Sequence, residues 1–120
     1  MASHNKLGQF GEDIARSYLL KNGYEILATN WRYLRAEVDI ICKKDKIIVF
    51  VEVKSRSNIQ YGEPESFLSN AQEQRIFDAA NEYIDQIDHQ GEIRFDLISI
   101  RFDKENEAII KHFKDAFLSN

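Results

Sequence analysis

The 120-residue sequence contains one cysteine, Cys42, and one proline, Pro64. A single thiol excludes an intramolecular disulfide and a cysteine-based zinc cluster. The longest uncharged apolar run, Ile47 to Val51, is far shorter than the roughly 20 residues of a membrane-spanning helix. The N-terminal segment shows neither an apolar signal core nor the arginine-rich pattern of a transit peptide. These absences predict a cytoplasmic protein without a membrane partner.

A net positive charge is also lacking, since 20 Asp and Glu residues outnumber 16 Lys and Arg residues and the formal net charge is −4 at pH 7. This value argues against a protein that coats nucleic acid through bulk electrostatic attraction. It leaves a nucleic-acid enzyme open, because active-site carboxylates themselves make the balance more negative. The length and the 43% hydrophobic content predict one globular domain over residues 1–120.

The hydrophobic periodicity predicts an α/β fold with the order α-β-β-β-α-β-β, that is, a mixed five-stranded sheet flanked by helices. The second helix begins with the spacing of a capping box, Ser69 and Gln72. The helix between the third and fourth strands suits a parallel crossover. The predicted helices span 5–22 and 69–88, and the predicted strands span 24–28, 31–43, 46–55, 93–102 and 108–113, with a polar loop at 58–65.

Each predicted helix has one apolar stripe that is expected to face the sheet. The first stripe consists of Leu7, Phe10, Ile14, Tyr18 and Leu19. The second consists of Ile76, Phe77, Ala80, Tyr83, Ile84 and Ile87.

The third predicted strand ends an apolar run with Glu52-Val53-Lys54, so a carboxylate and an ammonium point to the same face. A two-residue turn at Asp45-Lys46 would place Asp39 opposite Glu52, with Cβ atoms about 4.5–5.5 Å apart. The same register places Glu37 opposite Lys54. Two carboxylates this close repel each other unless they share a cation, and Mg²⁺ suits one or two carboxylates, waters and a phosphate oxygen.

Two further side chains extend this candidate site. Glu12 lies on the flank of the first apolar stripe, and Gly8 and Gly11 beside it permit close approach of a backbone or ligand. Arg56 follows Lys54 on the same strand face and is a candidate phosphate clamp. An isolated Glu-x-Lys pair is more often a surface ion pair, so the prediction depends on the combination with Asp39.

Other residues that could be candidates for a functional site have simpler interpretations. His4, His89 and His112 are far apart in the sequence and are not expected to be ligands. Asp96 is expected to form an ion pair with Arg94. The remaining interpretations concern packing: Cys42 is expected in the core on the face opposite Asp39, and Trp31 and Tyr33 are interpreted as packing residues.

The pattern resembles the PD-(D/E)xK nuclease superfamily and, more closely, the YraN family of uncharacterised bacterial proteins. The resemblance covers nearly the whole chain. It is carried by Gly8, Gly11-Glu12, Ala15, Asn30-Trp31-Arg32, Glu37-Val38-Asp39, Val49 to Arg56, Ala79-Ala80, Tyr83, Arg94-Phe95-Asp96, His112-Phe113 and Ala116-Phe117.

This resemblance implies a restriction-endonuclease-like sheet, similar to that of Holliday junction resolvases, and a DNA substrate. It implies that Asp39 and Glu52 bind Mg²⁺, or Mn²⁺ as a substitute, that Glu12 completes the metal site, and that Lys54 positions the attacking water. The start of the second helix is usually basic in such proteins, whereas here only Arg75 keeps a positive charge. This departure from the family pattern predicts that one chain binds DNA weakly or needs a homodimer or another partner.

Three functions are consistent with the sequence. The first is a Mg²⁺-dependent nuclease that hydrolyses phosphodiesters, in branched or damaged DNA. The second is a non-catalytic module that binds nucleic acid or a protein partner and keeps the nuclease fold with a relic of the site. The third is an oligomeric interaction protein, suggested by the apparently exposed side chains of Tyr61, Phe67 and Phe117.

Overall fold

The structure is a computed structural model that describes residues 6–56 and 68–117, with side chains from residue 8 onward. Two helices and five strands follow one another in the predicted order. The predicted loop at 58–65 lies outside the described residues, and so do Tyr61 and Phe67. The elements are α1 (Lys6–Lys21), β1 (Glu25–Tyr33), β2 (Ala36–Lys44), β3 (Ile47–Arg56), α2 (Asn70–Ile87), β4 (Ile93–Phe102) and β5 (Ala108–Phe113).

The strands form one mixed sheet in the order β1-β2-β3-β4-β5. The pairs β1–β2, β2–β3 and β4–β5 are antiparallel, whereas β3 and β4 are parallel. Parallel neighbours need a long connection, and α2 supplies it. The predicted mixed sheet and parallel crossover are therefore confirmed, and β3 is the central strand.

The turn between β2 and β3 is the predicted two-residue turn. Lys44 pairs with Ile47, and the intervening Asp45 and Lys46 both have positive φ angles, 51° and 77°. Such angles are typical of the tight hairpin turns that match the twist of the two strands. The predicted register of this hairpin is therefore confirmed at its turn.

The boundary between the first two strands differs from the prediction. The sequence predicts a break at residues 29–30, whereas β1 continues through Asn30 to Tyr33 and the turn is formed by Leu34 and Arg35. Asn30 does have a left-handed backbone, with a φ of 48°, but it stays within the strand. The turn-forming tendency of Asn30 is thus expressed as an irregularity inside β1 rather than as its end.

Helix α2 begins as the capping-box pattern predicts. The Ser69 hydroxyl accepts a hydrogen bond from the backbone N–H of Gln72 at 3.1 Å, and the Gln72 side chain accepts one from the Ser69 N–H at 2.9 Å. The helix ends at Asp88, whose backbone is left-handed. Neither helix in the described parts of the chain is long and apolar enough to cross a membrane.

The sheet has a hydrophobic core on each face. The α1 face contains Ala15 and Leu19 of the helix packed on residues such as Val49 and Val51 of β3, and Cys42 lies there as predicted. The α2 face has Phe50 at its centre, in ring contact with Phe95 and Tyr83 together with neighbouring aromatic residues. The central strand β3 thus carries core side chains on both faces.

Three predictions of burial or exposure are wrong, namely that Phe10 and Ile87 are buried and that Phe117 is exposed. Phe10 is 55% exposed, because the core side of α1 is formed by Gly11, Ala15 and Leu19 instead. Ile87 is 43% exposed in the last turn of α2. Phe117 is only 5% exposed, because the backbone of Ala116 bonds to β4 and brings the Phe117 ring within 5.6 Å of the Phe95 ring.

A buried polar network on the α1 face joins α1 to β4 and β5. Arg94 donates two hydrogen bonds to Asp96, at 2.9 and 2.8 Å, so the predicted ion pair is confirmed. The ring of His112 connects Asp96, at 2.7 Å, with the Tyr18 hydroxyl, at 3.0 Å. Burial acts to raise the pKa of Asp96, but the hydrogen bonds from His112 and Arg94 outweigh it and hold that pKa below its ordinary value.

Leu19 and Leu20 offer a matched test of this packing, since they are neighbours on α1 and only Leu19 is buried, at 0% against 55% exposure. We expect Leu19→Ala to lower the free energy of unfolding by about 2–5 kcal/mol, because it removes packed methyl groups and leaves a cavity. Leu20→Ala should change it by less than about 1 kcal/mol. Urea denaturation measures both, and equal losses would contradict the placement of α1.

Candidate functional site

The sheet opens between β2 and β3 near their far ends. Their pairing runs from Lys44–Ile47 to Ile40–Val51, after which β2 continues along β1 and β3 continues along β4. We call this opening beyond the Ile40–Val51 pair the fork. At the fork the Asp39 carboxylate accepts a hydrogen bond from the backbone N–H of Val53 at 2.8 Å. A side chain of β2 has thus replaced its backbone as the partner of β3.

Strand β2 changes faces at the fork. Val38 packs in the α2-face core, whereas Ile40, two residues later, packs in the α1-face core. In a regular strand these two side chains would share a face. The irregularity coincides with the left-handed Asn30 in the neighbouring strand. Asp39 therefore lies where the alternation breaks, which explains how its side chain reaches the backbone of β3.

The carboxyl group of Asp39 is buried, with 9% of the residue exposed. Burial raises its pKa to about 7, against the lowering effect of the Val53 hydrogen bond. The charges of Glu12 and Glu37 raise this pKa further, and the Lys54 ammonium lowers it. Two further acids and one amine therefore act on the carboxyl group of Asp39 at the fork.

Glu52 completes this set from the central strand. Burial raises its pKa well above the ordinary value, and the charge of Asp39 raises it more, opposed by Lys54. The Glu52 Oε1 atom is buried and has no hydrogen-bond partner among the described residues. A buried carboxylate oxygen without a partner is costly, so this atom is suited to a cation or a bound donor.

The predicted direct pairing of acids needs a refinement. The predicted register is kept as far as Ile40–Val51, but the pairing stops there, one residue before Asp39–Glu52 and three before Glu37–Lys54, so neither predicted pair is formed as a backbone pair. The backbone of Val53 binds the Asp39 side chain instead. The charge of Asp39 nevertheless raises the pKa of Glu52, so the two carboxyl groups lie within electrostatic reach of each other.

Helix α1 brings Glu12 to the fork. Glu12 is 8% exposed and accepts a hydrogen bond from the Asn30 side chain at 3.0 Å. The helix approaches β3 closely at Gly11, where an added Cβ would overlap the Ser55 hydroxyl. The prediction that a glycine beside Glu12 permits close backbone approach is confirmed for Gly11.

The α2 side of the fork contains a hollow of about 130 Å³, which we call the site hollow. Two arginines line it, the predicted Arg75 and the unpredicted Arg35, so positive charge lies beside Glu52. Arg56 is the half-buried last residue of β3, opposite Arg101 in the parallel pairing. The site hollow is lined by Arg35, Ala36, Glu37, Glu52, Gln72, Arg75 and Ile76.

Sequence reasoning missed two residues of the site and gave a third too small a role. Asn30 and Arg35 were not assigned to it, and Glu37 entered only as a register partner of Lys54. Glu37 in fact affects both central acids and is bound by Arg32 across the β1–β2 pairing, at 3.3 Å. The available signal is the tendency of asparagine to adopt a left-handed backbone, at the position where the sequence predicts a break between two strands.

Asp39 and Glu52 could supply two carboxylate ligands to a hard cation, but they do not form a complete coordination shell. Within residues 6–56 and 68–117, no three His, Cys, Asp or Glu side chains are already spaced to hold one metal ion. Magnesium is usually held by one or two protein carboxylates, several waters and substrate oxygens. Asp39 and Glu52, with the unpartnered Oε1 of Glu52, satisfy that smaller requirement.

Comparison with known proteins gives a family match over most of the chain. A model of the uncharacterised protein family UPF0102 matches residues 11–100. A UPF0102 protein of Flavobacterium psychrophilum is 49% identical over 117 residues, covering 98% of both chains. A UPF0102 protein of Clostridium beijerinckii is 40% identical over 116 residues, covering 95% of this chain and 94% of its own.

One solved structure also aligns with the chain. It is Pyrococcus furiosus SfsA in complex with Ca²⁺, with a TM-score of 0.38 and 16% identity, covering 90% of this chain and 62% of that chain. This likeness is too distant to carry an argument about the fold or the site.

The raised pKa values of Asp39 and Glu52 predict a dependence of stability on pH in the absence of metal. Between the ordinary pKa of a carboxyl group and about 7 the folded protein binds more protons than the unfolded chain at Asp39, so stability falls as the pH rises through this range. We expect Glu52→Gln, which removes one of the two charges, to flatten this fall and to raise the Tm at pH 8 by about 5 °C.

Thermal denaturation in EDTA between pH 5 and 8 measures the effect. Glu105→Gln, at an exposed residue between β4 and β5, is the matched control and should follow the unaltered protein. A Glu52→Gln variant that loses stability as steeply as the control would contradict the buried acid pair.

Proposed function

The chain belongs to the uncharacterised protein family UPF0102, and for this member we propose a Mg²⁺-dependent nuclease that hydrolyses phosphodiester bonds of DNA. The observation that carries the proposal is the composition of the fork. Two neighbouring buried carboxylates, Asp39 and Glu52, lie beside Lys54, and one oxygen of Glu52 has no hydrogen-bond partner in the described structure.

This composition is unfavourable for an isolated protein. Each buried carboxylate loses hydration, and the two repel each other, while one lysine compensates only part of the negative charge. A divalent cation held between Asp39 and Glu52 would remove both penalties. Such costly arrangements are found where a site serves binding or catalysis rather than stability.

When bound at Asp39 and Glu52, Mg²⁺ supplies a Lewis acid that polarises a phosphate oxygen and lowers the pKa of a coordinated water. Lys54 shares the face of Glu52 and can orient the attacking water and stabilise negative charge on the phosphate oxygens. Glu12, held by Asn30 and acting electrostatically on both acids, is placed to complete the metal environment.

Phosphate binding in this proposal depends on a few arginines. Arg35 and Arg75 line the site hollow next to Glu52, and Arg56 ends the same strand. Guanidinium groups bind phosphate oxygens in a bidentate manner. With a net charge of −4, one chain offers little further attraction to a duplex, which favours branched or damaged DNA as the substrate and a homodimer as the binding form.

A non-catalytic module remains the second candidate, and the start of α2 favours it. The first turn there contains Glu73 and no basic residue, so the helix N-terminus offers phosphates less than a basic segment would. In that case the fork would be a relic, and neither metal binding nor cleavage would depend on Asp39 and Glu52.

Substitution of the central residues tests catalysis. We expect Asp39→Asn, Glu52→Gln and Lys54→Ala each to reduce Mg²⁺- or Mn²⁺-dependent cleavage of nicked and branched DNA by about a hundredfold or more, because each removes a metal ligand or the charge beside the phosphate. Gel analysis of labelled DNA, with and without metal, measures cleavage.

Glu105→Gln and Lys104→Ala are matched controls, since both residues are exposed in the turn between β4 and β5. They should cleave as the unaltered protein does. Circular dichroism must show a native fold for every variant. Cleavage that persists in all three central variants would refute the assignment of the fork as the active site.

Metal binding can be tested without a nucleic-acid substrate. Mg²⁺ or Mn²⁺ should raise the Tm of the protein, because a ligand that binds only the folded state stabilises it, by about 2.7 kcal/mol at one hundred times its Kd. The shift should be larger at pH 8 than at pH 5, since protons compete for Asp39, whose pKa is raised to about 7. Glu52→Gln should abolish it. An unaltered protein that shows no shift at millimolar metal would favour the non-catalytic module.

A further inference from the structure

A second hollow, of about 380 Å³, adjoins the site hollow at the turn between β1 and β2. We call it the side hollow. It shares Arg35, Ala36 and Arg75 with the site hollow, so the same three residues border both hollows. Its volume is within the range of small-ligand pockets, about 300–1,000 Å³. The side hollow is lined by Tyr33, Leu34, Arg35, Ala36, Arg75 and Asp78.

One end of the side hollow is apolar and aromatic. Leu34 is 83% exposed and has a φ of 56°, a left-handed backbone at which a leucine is unfavourable. Neither core packing nor turn geometry accounts for a leucine at this position. The adjacent Tyr33 ring is held nearly parallel to the Trp31 ring, at 6.5 Å and 16°, and Trp31 in turn packs against Tyr83. The result is a rigid aromatic surface beside an exposed apolar side chain.

The positive and negative side chains of the side hollow lie in different parts of it. Arg35 and Arg75 belong to the wall shared with the candidate site. Asp78, which accepts a hydrogen bond from Gln74 at 3.0 Å, contributes a negative charge that lies only on the side hollow. A phosphate would therefore be attracted to the shared wall and repelled from the rest of the side hollow. A nucleobase, which is uncharged and carries donors for a carboxylate, matches that remainder.

We propose that the side hollow binds the base of an unpaired nucleotide whose phosphate lies between Arg35 and Arg75, next to the fork. The base would lie against Tyr33 and Leu34, as bases stack on aromatic side chains in proteins that bind single strands. This inference rests on the proposed nuclease function for its biological meaning, and it specifies the substrate as DNA with an unpaired nucleotide beside the cleaved bond.

Binding measured in EDTA separates this subsite from catalysis. The probes are a fluorescein-labelled blunt duplex and the same duplex with a short unpaired tail at its 5′ or 3′ end. The unaltered protein should bind at least one tailed duplex about tenfold or more tightly than the blunt one. Trp31, the single tryptophan of the chain, packs on Tyr33, so its fluorescence should change when the tail binds.

The variants Tyr33→Ala and Leu34→Ser should remove this preference while leaving the affinity for the blunt duplex unchanged. Tyr33→Phe, which keeps the ring, should retain it. Arg35→Ala should weaken binding of both duplexes and reduce the salt dependence by about one phosphate contact. Leu20→Ala removes exposed apolar surface from α1, outside the side hollow, and is the control that should keep the preference for the tail.

Several results would overturn the proposal. They are an unaltered protein without preference for a tail, Tyr33→Ala and Leu34→Ser variants that keep the preference, or variants that lose affinity equally for both duplexes. Thymidine monophosphate that displaces the tailed duplex at the tail's own binding concentrations would also overturn it, because the hollow would then serve a free nucleotide.

The two proposals can fail separately. If Tyr33→Ala loses the preference for the tail but no DNA is cleaved by the unaltered protein with metal, the subsite stands and the nuclease function falls. If cleavage depends on Glu52 but Tyr33→Ala binds and cleaves tailed DNA normally, the nuclease function stands and the subsite falls.

Discussion

The hydrogen bond from the Val53 backbone to the Asp39 carboxylate is the interaction on which the candidate site depends. It occurs because β2 and β3, tightly paired next to their turn, separate beyond Ile40 and Val51. A separated strand leaves a backbone N–H that must find another partner in the interior. Asp39 provides that partner, and its carboxyl group is thereby fixed beside the central strand and Glu52. The position of the Asp39 carboxyl group is therefore a direct consequence of the opening of the sheet.

The stability of the fold comes from the hydrophobic cores on the two faces of the sheet rather than from the acidic residues at the fork. Hydrophobic residues of β3 are buried on both faces of the sheet, and α1 and α2 each cover one face. On the α1 face, the network of Arg94, Asp96 and His112 shows what a satisfied buried acid requires, since every oxygen of Asp96 has a donor nearby. Glu52 differs from Asp96 in this respect, and the contrast is the strongest indication that the fork serves binding.

Acidic residues outnumber basic residues in this chain, so the placement of its arginines matters. Arg35 and Arg75 come from different elements, the β1–β2 turn and the first half of α2, yet both line the two adjoining hollows. A protein with a net negative charge cannot rely on long-range attraction to DNA. Local contacts to a phosphate and to an unpaired base would supply affinity for particular DNA structures instead, which is the physical link between the charge balance and the proposed substrate.

The sequence by itself determined the element order, the parallel crossover, the capping box of α2 and the two-residue turn of the central hairpin. These features depend on local periodicity, on turn chemistry and on short hydrogen-bonded motifs, all of which are encoded within a few residues. The same local reasoning identified Asp39, Glu52 and Lys54, because the turn sets the register from which their proximity follows.

Only the tertiary structure decided how far the pairing of β2 and β3 extends, and therefore that Asp39 binds the backbone of Val53. It also decided that Asn30 stays within β1 and holds Glu12, that Phe117 is buried, and that Arg35 joins Arg75 beside the site. These outcomes depend on contacts between elements distant in the chain, where packing outweighs local preference. Periodicity can place a side chain on a face, but the contacts that it makes there are set by the elements packed around it.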